Sequence, residues 1–301
     1  MLKPSPAHTR IALLLIWMLP ALWAVNLIVA RKAPGVVPAH VLALGRWTLA
    51  GLILGWVARS ELWQQRGVLR ANAWRLGVLG ACGMCICGAW VYLAGQSTQA
   101  MNISLIYASS PVLIALGSVY LLGERFSHLQ KLGVVLALGG VLHVLVRGEW
   151  LRLTEVQLVP GDLWVVGTSI AWAAYSLLQR HWRIPLSSTA LLAASCMAGV
   201  VVLLPFAGWE LWQASTPALG LWALSLMALA ALVPGVMAYW IYGWTQKILG
   251  VGPVAVTMYL GPLYAAMTAW LFLNEPLGWS HATGGALILL GVGLVMTFKH
   301  K

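Results

Sequence analysis

The sequence is 301 residues long, 61% hydrophobic and only 8% charged, with a mean hydropathy of +0.85. A soluble surface needs roughly a quarter of its residues charged. Water is therefore excluded as the solvent for most of this chain, and the fold class is an all-α integral membrane protein. The net charge of +11 does not point to nucleic acid, because no basic tail with interleaved aromatics is present; it is loop charge of the kind that orients spans.

Ten apolar runs follow in chain order: about 11–30, 38–58, 75–95, 100–122, 128–146, 162–180, 188–208, 218–243, 251–273 and 279–298. Each approaches the length that crosses a hydrocarbon core of ~30 Å. Barrel strands would alternate apolar and polar residues over about ten positions, and these runs are continuous. The first run lacks a small-residue cleavage site, so it reads as a span and not as a removed signal peptide. Cys82, Cys85, Cys87 and Cys196 all lie inside apolar runs and are poor disulfide candidates. On a helix, 82 and 85 share a face while 87 points elsewhere, and no nearby His completes a ligand set; neither a metal nor any other cofactor is expected.

The chain repeats itself at half its length. Pro111 to Glu124 and Pro262 to Glu275 are both thirteen residues, and the copies are 151 apart. Trp23-Ala24-Val25-Asn26 with Arg31 is echoed by Trp172-Ala173-Ala174-Tyr175 with Arg180, at an offset of 149. The boundaries predicted are a first five-helix unit over 1–149, a periplasmic connector over 150–160 and a second five-helix unit over 161–301. With the N-terminus in the cytoplasm, thirteen Lys and Arg residues fall inside and four (Arg31, Lys32, Arg147, Arg152) outside. The positive-inside rule then puts both termini in the cytoplasm. Five spans per unit is odd, so the second unit enters from the other side as an inverted repeat. Glu124 and Glu275 then mark opposite faces, as gate partners or span-end anchors.

Arg46 is the sharpest single residue, because it sits about eight residues into the second run, where a charge is costly. It can clamp a carboxylate through two parallel hydrogen bonds, or it can bond carbonyls of neighbouring helices and snorkel outward. All seven acids lie in loops or at span ends, so no mid-membrane proton relay is expected. Trp17, Tyr107, Trp172, Tyr175, Tyr239, Tyr259 and Tyr264 lie deep in runs, where their polar tips need partners. They are cavity candidates, with helix packing the alternative. Asn26, Asn102 and Ser109 would add hydrogen bonds, the last two being seven apart and nearly eclipsed on one helix. Pro20, Pro111, Pro234 and Pro262 each free a carbonyl within a run and are candidate hinges or static kinks.

These motifs, in this order, resemble the EamA branch of the drug/metabolite transporter superfamily. The matching residues are Trp23 with Asn26, Pro38 through Arg46, the S-P-V…L-G-E-R block, Gln130 with Gly133 and Gly139-Gly140, A-W-A-A-Y, G-P-L…L-N-E-P-L, and Gly284-Gly285 with Gly291. Within that branch, A-W-A-A-Y and the aromatic-rich eighth and ninth runs look most like the YddG-type exporters of aromatic and other hydrophobic amino acids. The resemblance implies ten spans in a basket-like fold, with a central cavity lined by helices 1–4 and 6–9 and with helices 5 and 10 peripheral. It implies a secondary transporter of the inner membrane working by alternating access on a small-molecule substrate, not an enzyme. The same fold exporting other metabolites or drugs is the nearest alternative; a membrane enzyme or a channel is more remote. One departure stands out: Gly123-Glu124-Arg125 in the first copy faces Asn274-Glu275-Pro276 in the second, so the two faces need not be gated alike.

Overall fold

The computed structural model describes residues 6–98, 100–213, 220–264, 266–267 and 278–297. Among them no strand occurs, as expected where lipid leaves backbone groups only internal partners. In chain order the long helices are α1 (Pro6–Lys32), α2 (Ala39–Val57), α3 (Ala73–Ala94), α4 (Asn102–Leu122), α5 (His128–Leu145), α6 (Asp162–His181), α7 (Ser188–Gln213), α8 (Leu221–Leu249), α9 (Val251–Val256, prolonged by the 3-10 turn Thr257–Leu260) and α10 (Trp279–Thr297). Eight of these, all but α6 and α9, are long and apolar enough to cross a membrane. α6 has the length but buries Asp162, Thr168, Ser169 and Ser176, which lowers its hydropathy. The run expected over 251–273 falls partly outside the described residues, as does Glu275. Leu14, Val135 and Val201 are about two-thirds exposed in mid-helix, an apolar belt that suits acyl chains and not water.

The helices pack in pairs: α2 lies antiparallel to α7, α5 antiparallel to α10 and α4 antiparallel to α9, α1 lies against α8, and α4 runs parallel to α6, Asn102 meeting Asp162 and Gly117 meeting Leu177. The α5–α10 pair stands at the edge and leans on α4 and α9. Side-chain bonds tie the α5–α10 pair at both of its ends. At the face where α1 begins, Gln130 at the start of α5 donates to Val295 O near the end of α10. At the opposite face, His143 Nε2 lies 2.9 Å from Thr283 Oγ1 between the same two helices.

Glycines let α5 and α10 touch backbone to backbone. A Cβ added at Gly140 would sit 2.6 Å from Gly284 O, and one at Gly133 2.6 Å from Gly291 O, whereas Gly139 faces open space. Gly140→Leu is therefore expected to push the pair apart at a cost of about 1–3 kcal/mol, and Gly139→Leu to be tolerated. Melting curves of the two variants in detergent check this: a lower midpoint for the first only.

The prolines act differently. α1 runs through Pro20 without a break, and α7 through Pro205. α4 does break: Ala108 and Ser109 form a turn, and a second segment, Ser110–Leu122, starts with Pro111 in its first turn. Pro111 has no N–H to give the carbonyl of Tyr107 four residues back, so the helix restarts. This corrects the expectation that Asn102 and Ser109 share a face: Asn102 is buried, and Ser109 is exposed with Oγ donating to Ile106 O at 2.6 Å.

Two stretches are π-helical, Ala81–Trp90 in α3 and Ala231–Met237 in α8, and they begin 150 residues apart. The extra residue per turn turns carbonyls out of the helical register, as π-segments do at functional sites.

Candidate functional site

The two displaced carbonyls frame a buried cluster. Gly83 O, in the first π-segment, accepts the Tyr239 hydroxyl at 2.9 Å. Pro234 O, in the second, accepts Arg46 Nη2 at 3.1 Å. Gly83 and Pro234 are 151 residues apart, the offset at which the Pro–Glu blocks recur.

Arg46 is 3% exposed in the middle of α2. Its Nη1 donates to Asn26 Oδ1 at 3.1 Å, and the Tyr92 hydroxyl donates to the same oxygen at 2.8 Å. The guanidinium carbon lies 4.5 Å from the Trp47 ring centroid and 6.0 Å from that of Tyr239, close enough for cation–π attraction worth about 0.5–2 kcal/mol. Nε is buried without an acceptor. Among the described residues the ion pairs are His40–Glu210 and Arg152–Glu149 only, so no carboxylate balances Arg46. A buried charge in that state costs several kcal/mol. Neutral acceptors and rings offset part of that cost, and Nε stays without an acceptor.

Next to it the rings interlock. Trp172 touches four of them: Tyr242 at 4.9 Å between centroids, Tyr239 at 5.4 Å, Trp23 at 5.5 Å and Tyr175 at 5.7 Å. Local sequence makes the room. Small Ala171 and Ala173 flank Trp172 on α6, and a Cβ at Gly83 would come within 2.6 Å of the Tyr175 ring. Polar tips are tied off around the rim: Tyr242 with Ser176 at 2.9 Å, and Trp172 Nε1 donating to Met258 Sδ at 3.3 Å. Trp23 and Trp172, 149 residues apart in sequence, thus meet at the centre.

The expected site residues do not all converge. Arg46, Asn26, Trp172, Tyr175, Tyr239 and Pro234 form one cluster. Trp17 and Tyr264 form a separate seam between α1 and the helical residues after α9, where the Tyr264 hydroxyl donates to Trp17 O at 2.6 Å; Pro262 lies two residues from that bond. Tyr259 is buried toward the α5–α10 pair and donates to Ala108 O at 2.9 Å. Tyr107 ends the first segment of α4, half-buried. Asn102 is held at the face opposite the N-terminus, donating to Asp162 Oδ2 and Gln157 O, both at 2.9 Å. Asp162 also accepts from Thr98 Oγ1 and Val159 N. Cys87 Sγ donates to Thr168 O at 3.5 Å.

Three glutamates cap helices across the bundle. Glu124 Oε1 and Oε2 accept Val251 N at 2.7 Å and Gly252 N at 3.0 Å, at the start of α9. Glu210 Oε2, near the end of α7, accepts His40 N at 2.7 Å and Val41 N at 3.2 Å, at the start of α2. Glu61 Oε1, just past the end of α2, accepts Ser187 N at 2.6 Å, immediately before α7. Each carboxylate meets the positive end of a helix dipole and its unbonded amides. Glu61 and Glu210 are among the seven acids that the sequence puts in loops or at span ends, and Trp47, Tyr92 and Tyr242 join the site without having been expected there. The signal for the glutamates was present, because Glu61-Leu62-Trp63-Gln64 recurs as Glu210-Leu211-Trp212-Gln213 at an offset of 149.

Comparison with known proteins places this geometry. The EamA-like transporter family matches residues 10–146 and again 159–297. An uncharacterized transporter of Archaeoglobus fulgidus is 27% identical over 99% of both chains. A probable terminal-alkyne amino-acid exporter of Streptantibioticus cattleyicolor is 28% identical, covering 84% of this chain and 82% of its own. The aromatic amino acid exporter YddG of Ancylobacter novellus is 27% identical, over 79% and 74%. A crystal structure shares the fold with a TM-score of 0.74 at 20% identity, covering 94% of this chain and 95% of that one.

Proposed function

The chain belongs to the EamA-like transporter family, and from that premise we propose that it exports hydrophobic amino acids, aromatic ones among them, across the inner membrane. It is a multi-pass membrane transporter of a small molecule; the cargo, direction and topology are our reading. That reading has ten spans in two inverted units, 1–149 and 161–301, joined by a periplasmic connector at 150–160. Both termini are cytoplasmic, and the units rock about a central site. The recurrences at 149–151 residues in the E-L-W-Q motifs, the π-segments and the Trp23–Trp172 contact support the repeat.

One observation carries the cargo class: a buried guanidinium without a balancing carboxylate among the described residues, set beside a wall of rings. A guanidinium takes a carboxylate in two-point geometry, and here Nε has no acceptor while the Nη atoms hold only neutral ones. Rings next to it cover an apolar or aromatic side chain by area burial and stacking. Carbonyls that the π-segments turn out of register are acceptors for an ammonium. The two amino-acid exporters among the relatives fit the same chemistry. Facilitated diffusion or exchange is the coupling we propose, since the acids lie in loops and at helix ends.

Proteoliposome flux tests this with labelled Phe, Trp, Thr and an organic cation, each with and without a pH gradient. Saturable flux of Phe and Trp that needs no gradient is expected. Flux of the cation and of none of the amino acids would sink the cargo assignment, and a strict gradient requirement would sink the uncoupled mechanism.

A further inference from the structure

The connection between α2 and α3 is more than a tether. It folds into two short helices, Arg59–Gln64 and Arg66–Ala71, neither of which buries a residue. From Arg59 to Arg75 it holds four arginines (59, 66, 70, 75) against one acid, Glu61, for a net 4 − 1 = +3. That acid has Oε1 committed to Ser187 N. The segment 149 residues on, 208–224, keeps E-L-W-Q but has no basic residue. Tryptophans therefore recur in both copies while the arginines belong to one.

Three of the four arginines lie over tryptophan rings. Arg59 is 4.4 Å from the Trp56 centroid, Arg66 is 5.2 Å from Trp63, and Arg75 is 5.4 Å from Trp74 and 6.0 Å from Trp182. Trp56, Trp63 and Trp74 are themselves 70%, 72% and 61% exposed. Arg75 spends one nitrogen on Asn72 Oδ1 at 2.9 Å and Arg59 one on Trp56 O at 3.1 Å, which leaves each a further terminal nitrogen. Such a surface offers guanidinium forks for an oxyanion beside broad apolar rings that water alone would serve badly.

We propose that this connection binds the headgroup of an anionic phospholipid in the leaflet it faces, with the arginines on the phosphate and the tryptophans against the acyl-chain boundary. A soluble phosphate would satisfy the arginines and leave three large rings in water. An anionic lipid satisfies both, because tryptophan rings sit at the headgroup level and basic residues there attract anionic lipid. The inference rests on the chain being a membrane protein, not on its cargo.

Native mass spectrometry of the purified full chain in neutral detergent tests it, titrating phosphatidylglycerol against phosphatidylcholine with the same acyl chains. Phosphatidylglycerol is expected to be retained preferentially. Each arginine removed is expected to cost roughly five-fold in affinity, so Arg66→Gln/Arg70→Gln, at two exposed positions, loses about twenty-five-fold while its melting point in phosphatidylcholine stays unchanged. Equal retention of the two lipids, or undiminished binding by the double variant, overturns the proposal. Displacement of the lipid by millimolar inorganic phosphate would reassign the surface to a soluble anion and overturn it too. Lipid retention is read without any flux, so its failure is separable from failure of the cargo assignment.

Discussion

Arg46→Met is expected to cut amino-acid flux by two to three orders of magnitude without destabilising the protein. A two-point, charge-assisted contact is worth about 3–4 kcal/mol, which is the factor stated. The stability half of the expectation separates a substrate contact from a structural one. Arg46 is buried, bonds only neutral acceptors, and leaves Nε unsatisfied. Replacing such a charge with an unbranched apolar side chain removes a desolvation cost of several kcal/mol. Asn26 keeps Tyr92 as a donor. An unchanged or raised melting midpoint together with lost flux is therefore expected. Arg46→Lys should not restore transport, because an ammonium lacks the fork. A variant that melts early and transports at unchanged affinity would reduce Arg46 to a structural tie.

Glu124→Ala is the second large effect, and it acts at the other end of the transport cycle. Glu124 lies two residues past the end of α4 and holds the first two amides of α9. Gly250, just before them, has φ +98°, a conformation glycine adopts at little cost. This contact joins the two proposed units at the face where α1 begins, and in the alternating-access cycle proposed above the opening of that face breaks it. Two bonds to a carboxylate at a helix N-terminus, partly exposed, are worth about 2–4 kcal/mol together. Hydrogen exchange at Val251 and Gly252 should accelerate by roughly 30- to 1000-fold in the variant. Glu124→Gln, which keeps an acceptor oxygen, should fall between. Unchanged exchange would mean that α9 is held by packing alone.

The membrane class was legible in composition, and most spans in run length, because apolar length is a one-dimensional quantity. α6 was legible as well: the run over 162–180 is the helix Asp162–His181, and its buried Thr168, Ser169 and Ser176 are what an inward-facing helix carries. The break in α4 was half legible: Pro111 marked it, but the resulting turn separates Asn102 from Ser109 in a way that straight-helix spacing hides. The π-segments left no trace in the sequence pattern, since one extra residue per turn does not disturb a uniformly apolar run. In the candidate site, Arg46 stood out by charge alone. Which aromatics join it depends on ring packing between α1, α2, α6 and α8, and that separates Trp172, Tyr175 and Tyr239 from Tyr259 and Tyr264 although all five looked alike. Glu124 stood out in the L-G-E-R block, whereas Glu61 and Glu210 were visible only through the repeated E-L-W-Q, whose meaning needs the antiparallel α2–α7 pair.

The central claim is that Arg46 reads a carboxylate while the rings read the side chain. Competition against labelled phenylalanine flux in proteoliposomes tests it most directly, using leucine, 3-phenylpropionate and phenethylamine as unlabelled competitors. The first two keep the carboxylate and an apolar body; the third keeps the ring and loses the carboxylate. Leucine and 3-phenylpropionate should compete in the wild type, phenethylamine should be weaker by about 100-fold or more, and any residual binding by Arg46→Met should no longer distinguish them. Phenethylamine competing as well as leucine in the wild type would contradict the account.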